Sequence, residues 1–139
     1  MSASVDRAER ARAAAARVGM MAADALHESA QARRLIEDFV RQAAVAQLPS
    51  VALRARTLDG HLVKTDVRGW YLRNDHSVAV GEDGEYYQLT VPGGLAARLR
   101  GVRLTPTPPP LVVGRGGKDG ESGDLKDFLA RVLAGQVRG

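Results

Sequence analysis

The stretch LVVGRGGKDGESGDLKDF, residues 111–128, has the order apolar strand, glycine loop and helix start with which many proteins hold a phosphate. Arg115 and Lys118 would supply positive charge to such a site. However, Lys118 is followed by Asp119, where a P-loop requires serine or threonine and a dinucleotide-binding fingerprint requires glycine. Further negative charge follows at Glu121, Asp124 and Asp127 and would repel an anion. We therefore interpret residues 114–123 as a connector rather than a phosphate cradle.

The three histidines, His27, His61 and His76, do not have the spacing of metal ligands. Asp75, His76 and Ser77 contain the letters of a catalytic triad, but triad partners converge from distant parts of a fold and are not neighbours in one turn. The sequence therefore predicts no catalytic, cofactor-binding or metal-binding residues and a protein that is not an enzyme.

Basic residues offer an alternative function, nucleic-acid binding. No acidic residue occurs between Glu85 and Asp119, and an arginine beside an outward-facing aromatic ring can stack on a base. Strand alternation places Tyr71 and Tyr86 on the outward side. Acidic residues are, however, interleaved with the basic residues of the preceding strands and turns, from Asp59 to Glu85, so the field is mixed rather than of one sign. The residues that would bind nucleic acid are Arg54, Arg56, Arg68, Arg73, Arg98 and Arg100.

The totals fit a small globular protein, with 45% hydrophobic and 26% charged residues and a net charge of +4. The excess of arginine over lysine is typical of GC-rich bacterial coding and does not by itself indicate a nucleic-acid partner. The chain has no cysteine, no secretory signal pattern and no apolar run long enough to cross a membrane, so the expected location is cytoplasmic.

Residues 1–48 are predicted to be helical, since they are rich in alanine and contain no proline. Pro49 marks the end of this segment, and Gly19 leaves open whether it is one helix or a helical pair. Alternating steps of four and three residues from Ala11 trace a seam along one face, and all but one of its positions are apolar. These positions are Ala11, Ala15, Val18, Ala22, Ala25, Ser29, Ala32, Ile36, Phe39, Ala43 and Ala46.

The length of this helix suggests a partner. A helix of some 44 residues is ~65 Å long, whereas a globule of the remaining residues has a radius of gyration of ~12 Å. The globule is too small to cover the whole seam, so part of the seam is expected to pair with a second copy or another protein. The predicted contact residues are Val18, Ala22, Ala25, Ala32, Ile36 and Phe39.

Residues 50–139 are predicted to form a second unit with a small antiparallel sheet. Residues 51–91 alternate between apolar and polar positions, with turn signals at Asp59-Gly60 and Gly81–Gly84, which predicts a meander of four or five strands. Residues 125–133 carry an amphipathic helical stripe, with Asp124 as N-cap and Gly135 at the end, and this helix is expected to pack on the sheet.

The sequence thus predicts an α+β protein with a long N-terminal helical segment (1–48), a small sheet unit (50–139) and a C-terminal helix. Its predicted role is a non-enzymatic interaction or assembly module that contacts itself or another protein through the alanine-rich helix. Nucleic-acid binding is the alternative, and neither a cofactor nor a membrane partner is expected.

Overall fold

A computed structural model describes residues 3–114 and 122–139 and confirms the α+β class. The elements follow one another as α1 (Ala3–Val45), β1 (Val51–Thr57), β2 (Leu62–Tyr71), β3 (Val78–Gly81), β4 (Tyr86–Gln88), β5 (Thr90–Val91), α2 (Leu95–Arg100), β6 (Val112–Val113), β7 (Gly123–Asp124) and α3 (Leu125–Leu133). None of the helices in the described residues is long and apolar enough to cross a membrane.

Helix α1 is one continuous helix of 43 residues that passes through Gly19 without a break. A Cβ built on Gly19 would meet nothing within 4 Å, so no close contact requires glycine there. The helix ends where Gln47 adopts the left-handed conformation (φ 55°) and the Leu48 N–H donates to the Ala43 carbonyl oxygen at 2.9 Å. This arrangement satisfies a carbonyl of the last turn, and Pro49 prevents any continuation.

The main sheet has the strand order β4-β3-β2-β1-β5. Neighbouring strands from β1 to β4 are antiparallel, and the predicted turn at Asp59-Gly60 joins β1 to β2, with Gly60 at φ 89°. The last strand departs from the predicted meander, because β5 pairs with β1 in the parallel direction. Strand β5 follows β4 almost directly in the chain, yet the two lie at opposite edges of the sheet.

Leu89, between β4 and β5, connects these two edges. Its N–H donates to the Ser77 carbonyl oxygen beside β3 at 2.9 Å, and its own carbonyl oxygen accepts from the Arg56 N–H on β1 at 2.7 Å. The sheet therefore curls until its edges meet, which leaves no long unpaired edge. A curled sheet encloses one face within itself and leaves the other face outside.

Two hydrophobic clusters result. The inner cluster lies within the curled sheet and comprises Leu53, Ala55, Val63, Tyr71, Ala79, Tyr87, Leu89 and Leu104. The outer cluster lies on the outer side of strands β2, β3 and β4, where helices α1 and α3 pack against the sheet. Its central residues are Ala32, Ile36, Phe39 and Ala43 of α1, Leu125, Phe128, Leu129 and Val132 of α3, and Leu72, Val78, Val80 and Tyr86 of the sheet region.

Helix α3 confirms the predicted amphipathic stripe, because Leu125, Phe128, Leu129 and Val132 are all buried. It packs against α1 as well as against the sheet. Asp124 occupies the predicted N-cap position, although its side chain makes no capping hydrogen bond, and Gly135 follows the helix at φ 75°. The outer cluster thus joins the C-terminal part of α1 to the sheet unit, so residue 49 does not separate two independent cores.

Most of the glycine-rich connector, residues 115–121, lies outside the described residues. Its base is described: β6 and β7 pair antiparallel, with Val112 opposite Asp124 and Val113 opposite Gly123. The Leu125 N–H also donates to the Leu111 carbonyl oxygen at 2.8 Å.

Two of the buried tyrosines, Tyr86 and Tyr87, predict how stability depends on alkaline pH. Burial raises the pKa of Tyr86 and of Tyr87, and the Tyr87 hydroxyl also donates to Asp83 Oδ2 at 2.5 Å, which raises its pKa further. In the unfolded chain a tyrosine titrates near ~10. Because the folded pKa values are higher, their contribution to stability is complete below about pH 10 and is lost as the pH rises above it.

We expect the urea concentration at the unfolding midpoint to decrease when the pH is raised from about 8 to about 11. Tyr87→Phe lacks one of the two groups and should show a smaller fall over the same range. If Tyr87→Phe keeps the whole fall, this interpretation is wrong.

Candidate interaction surface

Helix α1 leaves the globule at Glu28. This side chain links the helix to the sheet unit, because its Oε1 accepts from the Leu111 N–H at 3.1 Å. Every described residue from Ala3 to His27 is exposed apart from Ala8, which is half-buried. We call Ala3–His27 the projecting segment, and at 1.5 Å per residue it extends about 37 Å from the globule.

The predicted seam is divided by this geometry. Its C-terminal part, Ala32, Ile36, Phe39 and Ala43, is 0–1% exposed within the outer cluster, and we call it the closed seam. Its N-terminal part, Ala11, Ala15, Val18, Ala22 and Ala25, is exposed, and we call it the open seam.

The predicted partner contacts are corrected accordingly. Ala32, Ile36 and Phe39 face the chain's own sheet and α3, so no partner reaches them while the fold is intact. Val18, Ala22 and Ala25 remain accessible. The sequence holds a signal for this division, since the bulky seam residues Ile36 and Phe39 fall in the part that the small globule covers.

Large apolar side chains accompany the open seam. Val18 is 66% exposed, and Val5, Met21 and Leu26 beside the seam are 51%, 70% and 75% exposed. A single exposed apolar side chain is ordinary, whereas several on one face of a projecting helix are typical of an interaction surface. The small residues between them would allow the backbone of a second helix to approach closely.

Charge is distributed unevenly along α1. Arg7, Arg10, Arg12 and Arg17 lie in the outer part of the projecting segment, where the acidic residues are Asp6 and Glu9. Asp24 and Glu28 follow near the globule with no arginine or lysine between them. The segment therefore has a basic outer end and an acidic end beside the globule.

Arg73, predicted as a nucleic-acid contact, is instead a buried structural residue, 6% exposed. Its guanidinium donates to the Gly114 carbonyl oxygen and to Ser77 Oγ, the latter at 2.6 Å, and it lies over the Phe128 ring. Asp75 Oδ1 lies 3.6 Å from its Nε. The side chain therefore ties the base of the connector to the turn after β2.

Replacing Arg73 with methionine is expected to lower the free energy of unfolding by about 1–3 kcal/mol, since buried hydrogen-bond partners lose their donor. Chemical denaturation measures this loss. Arg54→Met, at an exposed position, is the matched control and should change stability by less than about 0.5 kcal/mol. Equal effects of the two changes would contradict the structural role.

The aromatic residues expected to stack on bases are also buried. Tyr71 lies in the inner cluster and Tyr86 in the outer cluster, at 6% and 3% exposure. The Tyr71 hydroxyl accepts a hydrogen bond from the Arg54 N–H at 2.9 Å, and its ring stacks on His76 at 3.7 Å. The prediction that both rings are open to a base was wrong, because Tyr71 faces the inner cluster and the outer side of the sheet around Tyr86 is covered by the outer cluster.

The other predicted basic residues are exposed. On the β1–β2 hairpin, Arg54 lies opposite Lys64, Arg56 opposite Leu62, and Arg68 opposite Ala52, so the basic side chains share one outer face. Arg98 and Arg100 are exposed on α2. Of the six arginines predicted to bind nucleic acid, Arg73 is thus the one that is buried, and no exposed tyrosine accompanies the other five.

A cleft of about 750 Å³ adjoins this face of the β1–β2 hairpin and is lined in part by Arg54, Arg56 and His76. His76 is held by the Tyr71 ring and by the Arg138 carbonyl oxygen, 2.9 Å from its Nε2. Within residues 3–114 and 122–139, no group of three or more histidine, aspartate or glutamate side chains is arranged to hold a metal ion.

Comparison with known proteins adds no functional assignment: no family model, no curated protein and no solved structure matches this chain.

Proposed function

We propose that this protein is a non-enzymatic interaction or assembly module whose projecting segment binds another protein chain through the open seam. The observation that carries the proposal is the apolar face of a helix that extends about 37 Å beyond its own globule. A helix fully surrounded by water is only marginally stable, even when it is rich in alanine, because most helical stability in proteins comes from packing of one face. A partner on the open seam would provide that packing.

In this proposal the closed seam and the open seam have different roles. The closed seam fixes α1 to the sheet and α3, so the direction of the projecting segment is set by a packed core. The open seam then presents its apolar side chains at a defined distance from the globule. The second half of the molecule, with its basic hairpin face, stays free to carry a second contact.

Photo-crosslinking in the native host tests this function through the face that it requires. A photoreactive amino acid replaces Ala22 in the open seam or, as a matched control, Ala13 on the opposite side of the same helix. We expect discrete adducts from position 22 and few from position 13. Equal labelling from the two positions, or no adduct from either, would overturn the proposed function.

Nucleic-acid binding remains the second candidate, favoured by the exposed Arg54, Arg56 and Arg68 on one face of the hairpin. Salt titration of binding to generic single strands tests it, because each phosphate contact adds to the slope of log K against log salt. The candidate predicts a steep slope that becomes shallower in the variant Arg54→Ala/Arg56→Ala. A flat slope in the unchanged protein would eliminate it.

A further inference from the structure

We infer that the occupant of the open seam is a second copy of this chain, paired antiparallel along the projecting segment. This inference rests on the proposed function and names its partner. Two helices of the same sequence can pair parallel or antiparallel, and the position of the globule together with the order of side chains along α1 distinguishes the two.

The globule excludes parallel pairing. The open and closed seams lie on the same face of α1, and from Ala32 onward that face is covered by the sheet and α3. In a parallel pair, the second helix would continue along this face from residue 25 toward residue 43. It would collide with the first copy's own core. An antiparallel helix instead presents its outer end as it approaches the globule.

Heptad geometry defines one antiparallel register. The seam positions are alternately the a and d positions of a heptad, which form the core of a helix pair. In an antiparallel pair, each a position lies opposite a d position of the second helix. The register that fills the open seam also uses Ala8, which lies three residues before Ala11 on the same face. It places Ala8 opposite Ala25 of the second copy, Ala11 opposite its Ala22, and Ala15 opposite its Val18. Small residues in these layers allow the helix axes to approach to ~8 Å, the lower end of the usual range.

The residues beside the seam are complementary in the same register. Arg7 lies opposite Glu28 of the second copy, and Val5 lies opposite its Leu26, which brings together opposite charges and two exposed apolar side chains. Met21 lies opposite Ala14, and Arg12 lies opposite Gly19, so each long side chain faces a short one. The twofold symmetry of the pair repeats every one of these contacts. In this register the open seam is thus matched in size by its own sequence read in the opposite direction, with one pair of opposite charges and one apolar pair beside it in each half.

Neighbouring registers lack this match. Shifting the helices by one heptad in one direction sets Arg12 opposite Arg12 of the second copy, with like charges in contact. A shift in the other direction sets Ala8 opposite Ala32, which the chain's own core already covers. Glu28 keeps one oxygen on the Leu111 N–H in the accepted register, and a carboxylate has further acceptor capacity for Arg7.

Disulfide trapping tests both the partner and the direction, because the chain contains no cysteine of its own. The variants Ala8→Cys and Ala25→Cys are oxidised separately and as an equimolar mixture. Antiparallel pairing predicts about tenfold more linked dimer in the mixture than in either variant alone, since residues 8 and 25 of different copies then lie within disulfide range. A mixture of Ala13→Cys and Met20→Cys, both facing away from the seam, controls for random collision.

The outcomes separate the inference from the function on which it rests. Linked dimer in the mixture alone supports antiparallel self-pairing. Linked dimer in each variant by itself shows parallel pairing, and no linked dimer at any concentration shows that the chain does not self-pair. Either result overturns the inference. The proposed function is then tested by the crosslinks from position 22. Adducts that join this chain to a different protein would support it.

Discussion

Replacing Phe39 with alanine is expected to lower the free energy of unfolding by about 3–5 kcal/mol, the usual cost of removing a large buried aromatic side chain. Phe39 is 1% exposed in the closed seam and packs edge-on against Trp70, with ring centroids 5.2 Å apart and an angle of 89° between the planes. Its removal opens a cavity between α1 and the sheet. Since small domains have about 5–15 kcal/mol of stability in total, the loss is a large part of the whole.

Urea denaturation of the Phe39→Ala variant measures this cost, and Met20→Ala is its control. Met20 is also a large apolar residue of α1, but it is 61% exposed on the side away from the seam. Its replacement should change the free energy of unfolding by no more than about 0.5 kcal/mol. If the two variants lose equal stability, the C-terminal part of α1 is not part of the core.

Replacing Val18 with glutamate is expected to weaken association at least about 100-fold. In the proposed antiparallel pair, the change places a charge in each of the two central layers, and burying an unpaired charge costs several kcal/mol. A difference of about 1.4 kcal/mol corresponds to a tenfold change in affinity. The globule should be unaffected, because Val18 is 66% exposed and lies outside both clusters. The urea midpoint measured at low protein concentration should therefore stay unchanged.

Sedimentation velocity over a concentration series measures the effect, with Met20→Glu as the matched control. Both positions carry exposed apolar side chains and are close in the chain, but only Val18 lies on the open seam. The control should associate as the unchanged protein does. Equal weakening by both variants would indicate a general effect of charge rather than contact through the seam.

Local patterns were sufficient to predict most elements of the fold. Alanine content and Pro49 gave the extent of α1, alternation and the Asp59-Gly60 turn gave β1 and β2, and the stripe in residues 125–133 gave α3. These signals act over a few residues and need no knowledge of distant contacts.

The closure of the sheet depends on contacts between residues that are far apart in the chain, and it could not be predicted from local patterns. Alternation along a strand shows which side chains share a face, but it does not show whether that face is covered. The bridge through Leu89 and the packing of α1 and α3 cover both sides of the sheet around Tyr71 and Tyr86. The burial of Arg73 depends on Gly114, which is 41 residues away in the chain.

The division of the seam is an intermediate case. Helical periodicity identified one continuous apolar face, and the length of the helix showed that some of it must extend beyond the globule. Periodicity alone did not show which part, because alanine is compatible with both environments. The positions of Ile36 and Phe39 would have favoured the C-terminal part, since a small core needs its largest side chains.

Hydrogen exchange of the backbone amides in residues 5–27 shows whether a second copy covers the open seam in solution. If the open seam is covered by a second copy, these amides are protected at high protein concentration and lose protection on dilution, while those of residues 36–43 stay protected because the chain's own core holds them. The contradictory result is exchange in residues 5–27 at the rate of an isolated helix at every concentration.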